Sequence, residues 1–159
     1  MKLIHLTQNK YAIVDDKDYE WLMQWKWYAH KSHNTKDTFY AQRAKRTKEG
    51  RIVVMHREIL GLKFGDGNRI DHCNGNGLDN QRCNLRLCTT SQNQMNRKIS
   101  GGSSRFKGVR VKRDGIYAYI GINYKKKYLG SFKTEIDAAK AYDDKARELF
   151  GEYANCNFN

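Results

Sequence analysis

An aspartate and a histidine stand side by side at Asp71-His72, an Asn-Leu-Arg run follows at Asn84-Leu85-Arg86, and a further asparagine stands at Asn93. These residue types suit hydrolysis of a phosphodiester. That reaction needs a water that loses a proton, an offset for the phosphate charge and a stabilised leaving oxygen, and one Mg²⁺-class ion serves the last two needs. A hard ion prefers oxygen ligands, and Asp71 and Asn93 supply one each. His72 can take the water proton, since an unperturbed imidazole titrates at about 6.5. Adjacent residues of a strand point to opposite sides, so Asp71 can hold metal while His72 faces water. Singly, an Asp-His pair is usually structural and an Asn/Gly cluster usually a loop; it is the ordered combination that carries the reading.

The elements that must hold these residues follow from local pattern. Arg69 to His72 reads as a strand end, Cys73 to Asn84 as a loop dense in Asn and Gly, and Leu85 to Cys88 as a second short strand. Thr90 or Ser91 can cap a helix running to about Arg97. Ahead of this segment, Tyr11 to Val14 reads as a strand, and Asp16 to Trp25 as a helix with Tyr19, Leu22, Met23 and Trp27 at roughly helical spacing. Thr38 to Ala44 and Arg51 to Met55 read as two more strands joined by a Lys/Glu/Gly turn. This first region is expected to be a scaffold or docking surface.

The formal net charge of the 159 residues is +13, which calls for a polyanionic partner, nucleic acid or an anionic membrane surface. The opening Met1-Lys2-Leu3-Ile4-His5-Leu6-Thr7 turns polar too early for a secretory or membrane segment. The expectation is therefore a cytoplasmic protein that binds DNA and no membrane; no protein partner is implied. Cys73, Cys83, Cys88 and Cys156 are not expected to form disulfides in a reducing compartment. Cys83 and Cys88 have a spacing that zinc sites use, but Cys73 lies alone and His72 would be consumed as a ligand, so incidental burial of the thiols is the default expectation.

Ile99-Ser100-Gly101-Gly102-Ser103-Ser104 reads as a linker. Beyond it, Arg105 to Lys133 holds nine Lys or Arg and one acid, Asp114. Three strand-like runs lie near 106–112, 116–123 and 126–132, and a helix from about Thr134 to Phe150, with Thr134 as N-cap and Gly151 as stop. By alternation Val109, Val111, Ala118, Ile120 and Ile122 face the helix, while Arg110, Lys112, Tyr117, Tyr119, Lys126 and Tyr128 face out. Such a basic and aromatic face suits a major groove.

Two family resemblances emerge from these residues. The segment from Asp71 to Asn96 resembles the ββα-metal nuclease core of the HNH family, especially its phage and intron-encoded homing members. The resemblance implies His72 as general base, Asp71 and Asn93 as metal ligands, and Asn84 as the residue bracing the loop and the histidine. It also implies Mg²⁺, with Mn²⁺ as an alternative, and products with 5′-phosphate and 3′-hydroxyl ends. Asn93 falls where the family name has its last His; Asn occurs there in the homing subgroup, and Asn96 is a nearby rival. His56, in Met55-His56-Arg57, resembles a recurring lead-in to the motif and receives no catalytic role. The second resemblance rests on Phe106-Lys107-Gly108-Val109-Arg110, Tyr128-Leu129-Gly130-Ser131-Phe132, Ala138 to Asp143 and Asn157-Phe158. Over about residues 104–159 this order is similar to the Apetala/ethylene-response-factor DNA-binding domain, which implies three antiparallel strands on one helix with the sheet in the major groove. By motif position Lys107, Arg110, Lys112, Lys126 and Tyr128 match its DNA-contacting places. Lys107 and Lys126 replace the usual Arg and Tyr128 the usual Trp, so the plant members' sequence preference does not carry over.

The expected protein is α+β. Residues 1–98 hold an N-terminal region with an HNH core at about 52–98, 99–104 form a linker, and 105–159 form the second module. The expected function is metal-dependent DNA cleavage with C-terminal targeting. A DNA-binding regulator with a silent nuclease core is the alternative, and an RNA-binding protein ranks last.

Overall fold

The structure, a computed structural model, describes residues 1–33, 38–44, 52–63, 65–96, 102–122 and 125–158. They form two compact units, Met1–Thr89 and Thr90–Asn159.

In the first unit β1 (Lys2–His5) pairs antiparallel with β2 (Tyr11–Val14). Alternation turns Ile4, Ala12 and Val14 into the core, joined by Leu6. Helix α1 (Asp16–Leu22) opens with Asp16 and Asp18 in its first turn, where carboxylates complement the helix dipole. It stops short of the expected Trp25. The Leu22 carbonyl accepts from Trp25 N at 3.2 Å and from Trp27 Nε1 at 2.8 Å, so a tight turn and an indole take the place of the next helical bond. Strands β3 (Tyr28–Lys31), β4 (Phe39–Ala44) and β5 (Ile52–Val54) form an antiparallel sheet in that order. The expected Lys/Glu/Gly turn between the last two lies outside the described residues. The expected strand through Met55 ends at Val54 and becomes α2 (Met55–Ile59), because Met55 and Ile59, one helical turn apart, are both buried in the core. Then come β6 (Arg69–His72) and β7 (Leu85–Cys88), an antiparallel pair that sets Asp71 opposite Arg86 and His72 opposite Leu85. A 3₁₀ turn, Arg82–Asn84, leads into β7.

In the second unit α3 (Thr90–Met95) is followed by β8 (Val109–Lys112), β9 (Gly115–Ile122), β10 (Lys125–Phe132) and α4 (Glu135–Phe150). The three strands form an antiparallel sheet, order β10-β9-β8. Ala138 and Ala139 of α4 pack on Val109 and Ala118, the small side chains allowing a close approach. The Thr134 hydroxyl accepts from Asp137 N at 3.1 Å, capping α4 as its sequence suggests. Gly108 has φ +79°, and a Cβ there would lie 2.0 Å from the Tyr142 ring, so only glycine fits.

The division at Thr89–Thr90 falls ahead of the stretch read as a linker, and α3 belongs with the second unit. Met95 packs among Ile120, Tyr142 and Phe150, Lys107 Nζ donates to the Met95 carbonyl, and Asn155 Nδ2 donates to the Asn96 carbonyl at 2.7 Å. Of the linker, Gly101 and the residues before it lie outside the described residues. Ser103 and Ser104 are part of the fold: Ser103 Oγ accepts from Val111 N at 2.9 Å and Ser104 Oγ donates to the Glu135 carboxylate. Hydroxyls that satisfy a sheet edge and a helix start bind this stretch to the unit, whatever its composition suggests.

Candidate active site

Asp71 and His72 end β6, each only 6% exposed. Arg86 on β7 reaches Asp71 with Nε at 3.0 Å and Nη2 at 2.7 Å, both on Oδ2. The loop after His72 starts with Gly75 N donating to the His72 carbonyl at 2.8 Å. Asn84, buried, closes the loop from the far end. Its Oδ1 accepts from Asn74 N at 3.0 Å, its Nδ2 donates to the Asp79 carbonyl at 2.8 Å, and its own carbonyl accepts from Cys73 N at 2.9 Å. One amide thus ties the start of the loop at Asn74 to its middle at Asp79. Asn74 and Asn76 close Asx turns onto Asn76 N and Leu78 N, which is why this loop is rich in asparagine.

The N-terminal elements hold the same loop from outside. Ile13 N donates to the Leu78 carbonyl and Asn80 N donates to the Ile13 carbonyl, at 2.9 and 2.8 Å. Arg82 places Nε and Nη2 on the two oxygens of buried Asp18 at 2.8 and 2.9 Å, and Asp15 accepts from Arg82 N at 2.9 Å. The Arg82 guanidinium holds the Asp18 carboxyl below the usual range.

Burial pushes the His72 imidazole below its ordinary pKa, against the opposing effects of the Asn80 side chain and the charges of Asp71 and Asp79. His56, on α2, meets the His72 ring edge to face at 5.0 Å. Burial, helped by His72 and Arg57, pushes His56 down to about 3, so it is neutral at physiological pH. Tyr40 of β4 touches both rings, and burial together with the Asp71 charge raises its phenol. Spacing did not single out Tyr40, Asn80 or the Asp18–Arg82 pair; Arg86, in the Asn84-Leu85-Arg86 run, and His56 had a motif signal but received no role from it.

The structure thus gathers Asp71, His72 and Asn84 in the first unit. Asn93 lies half-buried on α3 in the second, and Asn96, its rival, is buried with its carbonyl engaged by Asn155. Among the described residues no three His, Cys, Asp or Glu gather into a metal site. In kind, the expected donors fit a hard divalent ion, one a carboxylate at a strand end and the other an amide oxygen. Cys73 and Cys83 depart from the expected burial and are exposed, because they sit on the loop and its closing turn and not on a core-facing strand position; Cys88 and Cys156 are half-buried.

On the second unit, Arg110, Lys112, Lys126 and Tyr128 are exposed. Tyr128 lies 6.3 Å from Tyr117 and 5.5 Å from Tyr119, with Arg110 over the Tyr119 ring and Lys112 over that of Tyr117. Arg110, Lys112, Tyr119 and Lys126 line a groove of about 540 Å³ that also involves Ser103 and Ser104. Lys107 is placed differently from the other four. It is half-buried, its ammonium engaged by the Met95 carbonyl and 5.9 Å from the Tyr142 ring centre, and burial pulls its pKa down to about 8.

The chain is 38% identical over 110 residues to an uncharacterized HNH endonuclease of Acanthamoeba polyphaga mimivirus. The match covers 66% of this chain and 57% of that protein, so the chain spans little more than half of its relative's length. This likeness agrees with a nuclease at the level of the family named. No family model matches the chain. No solved structure matches it either. No helix among the described residues is long and apolar enough to cross a membrane.

Proposed function

We propose that the chain is a metal-dependent DNA endonuclease of the HNH type, with the β6–loop–β7 hairpin as its catalytic element. The observation that carries the reading is the Asp71-His72 pair at a strand end, with the following loop locked by Asn84. The similarity to a viral protein bearing the HNH endonuclease name supports it. In this reading His72 accepts the proton of the attacking water while the phosphorus–oxygen bond to the leaving group breaks. Asn84 holds the loop so that the histidine keeps its place. Asp71 and Asn93 are the oxygen donors assigned to Mg²⁺ or Mn²⁺, which when bound offsets phosphate charge and stabilises the leaving oxygen. The basic and aromatic outer face of the β8–β9–β10 sheet anchors DNA through Arg110, Lys112, Lys126 and Tyr128. Lys107, engaged within its own unit, contributes to the fold of that unit more than to phosphate contact.

Incubation of supercoiled plasmid with the purified chain tests the reading. Conversion to open-circle or linear DNA with Mg²⁺, and none with EDTA, is expected. Plasmid bound but uncut at every Mg²⁺ and Mn²⁺ concentration would favour the DNA-binding regulator with a silent core.

A further inference from the structure

We infer that Tyr40 and His56 are positioning residues that fix the plane of the His72 imidazole. The inference rests on the reading of His72 as the base. The three rings form a closed triangle: Tyr40 to His56 5.7 Å at 74°, His56 to His72 5.0 Å at 81°, and Tyr40 to His72 5.9 Å at 45° between centroids and planes. The two contacts of His56 have the separations and near-perpendicular tilts that ring quadrupoles prefer, edge against face, while the Tyr40–His72 pair is tilted between the two arrangements. Each ring comes from a different element, β4, α2 and β6, so the triangle exists only in the folded unit.

The triangle is also backed from below. A Cβ on Gly77 would lie 2.5 Å from the Phe39 carbonyl and 2.6 Å from Tyr40 Cε1. The loop that Asn84 locks therefore runs with its backbone directly against the Tyr40 ring, and glycine at position 77 is what permits it. Tyr40 is wedged between that loop and the two histidines. The backbone of His72 is held separately, by its pairing with Leu85 and by the bond from Gly75 N. The ladder leaves rotation about the side-chain bonds of His72 undetermined; the Asn80 side chain interacts with the imidazole, and the Tyr40 and His56 rings flank it. A base accepts a proton well only when its lone pair points at the hydrogen, so loss of this support should reduce turnover and leave DNA affinity alone. If the rings serve only to fill the core, an aliphatic side chain of similar bulk should replace them without effect on turnover.

The test uses the full chain and four variants, Tyr40→Phe, Tyr40→Leu, His56→Phe and His56→Leu. Two readouts are needed: kcat and KM for plasmid cleavage, and the NMR signals of the His72 imidazole in the absence of DNA. The leucine variants are expected to lower kcat by about 10–100-fold with KM little changed, and to shift or broaden the His72 signals. The phenylalanine variants, which keep a ring, are expected to stay near wild type in both. Leucine variants with wild-type kcat and unchanged His72 signals would overturn the proposal, and so would phenylalanine variants that lose as much as the leucine ones. Wild-type protein alone also decides the matter if the leucine variants do not fold. A His72 ring as ordered as rigid backbone, with an order parameter of about 0.85, is expected, and one below about 0.6 would overturn the proposal. Failure of wild type to cut DNA would instead defeat the nuclease reading, while the ring signals would still report on the triangle.

Discussion

Arg86 stands opposite Asp71 in the β6–β7 ladder and sets Nε and Nη2 on a single oxygen of its carboxylate, at 3.0 and 2.7 Å. The two side chains are 14% and 7% exposed. Removing one partner takes the close opposite charge away from the other in a largely dry place. Arg86→Leu is therefore expected to destabilise the first unit by about 3–5 kcal/mol. Adding Asp71→Asn to it should restore part of that loss, since the stranded charge is gone. Urea unfolding midpoints of the three proteins check this. A midpoint unmoved by Arg86→Leu would show that the pair is not the buried contact described here.

The proposed metal ligand on α3 gives a second expectation. Asn93→Ala should raise the Mg²⁺ or Mn²⁺ concentration needed for half-maximal cleavage. Asn93→His should lose less, because an imidazole also coordinates such ions and is the residue that the HNH name records. Metal titrations of the cleavage rate decide it. Equal loss in both variants, or none in either, would move the assignment to Asn96.

Salt dependence separates anchoring from chemistry. Each phosphate contact by Lys or Arg contributes a log–log slope of about −0.9 in affinity against salt. Arg110→Ala, Lys112→Ala and Lys126→Ala, all at exposed positions, should each flatten that slope by roughly this amount. Lys107→Ala should flatten it least, since its ammonium already serves the Met95 carbonyl. Binding measured at several salt concentrations gives the slopes. Identical slopes in all five proteins would remove the sheet face from DNA binding.

Lys107 also predicts a pH effect on stability. Burial holds its pKa at about 8 in the folded unit, against 10.5 for an unperturbed lysine. Below the folded value both states are protonated and the burial penalty is fully present. Between the two values the unfolded state binds more protons, so this group adds stability as pH rises through that window. Cys156 and Tyr142, whose pKa values burial raises, act in the opposite sense, and the window of Cys156 overlaps the upper part of this range. The comparison is therefore with Lys107→Met. Wild-type stability should gain on that of the variant between about pH 8 and 10. Parallel denaturation profiles across this range would contradict it.

Much of this architecture was legible in the residues, and the exceptions have physical causes. The Asn-rich loop between two short strands, the Thr134 cap and the inward Ala118 and Ile120 are local signals, and local signals survive into the fold. Lys2–His5 and Tyr28–Lys31 lack a marked strand pattern of their own and take their form from pairing with the next strand in the chain, Tyr11–Val14 and Phe39–Ala44. The β-branched run Ile52-Val53-Val54 hid the start of α2, which burial of Met55 and Ile59 decides. Composition marked Ser103 and Ser104 as linker, yet their hydroxyls satisfy Val111 N and the Glu135 carboxylate. In the candidate site, Asp71, His72 and Asn84 had a motif to point to them. Tyr40 and Asp18, the partner of Arg82, did not, since they reach the loop from distant parts of the chain and no spacing rule joins them to it.

The most direct test of the account is plasmid cleavage by His72→Ala beside wild type, at saturating Mg²⁺ and with DNA affinity measured in parallel. Loss of the general base should slow cutting by roughly 10²–10⁴-fold and leave binding nearly unchanged. A His72→Ala protein that cuts as fast as wild type, while wild-type cutting still requires the divalent ion, would remove His72 from the chemistry and contradict the account.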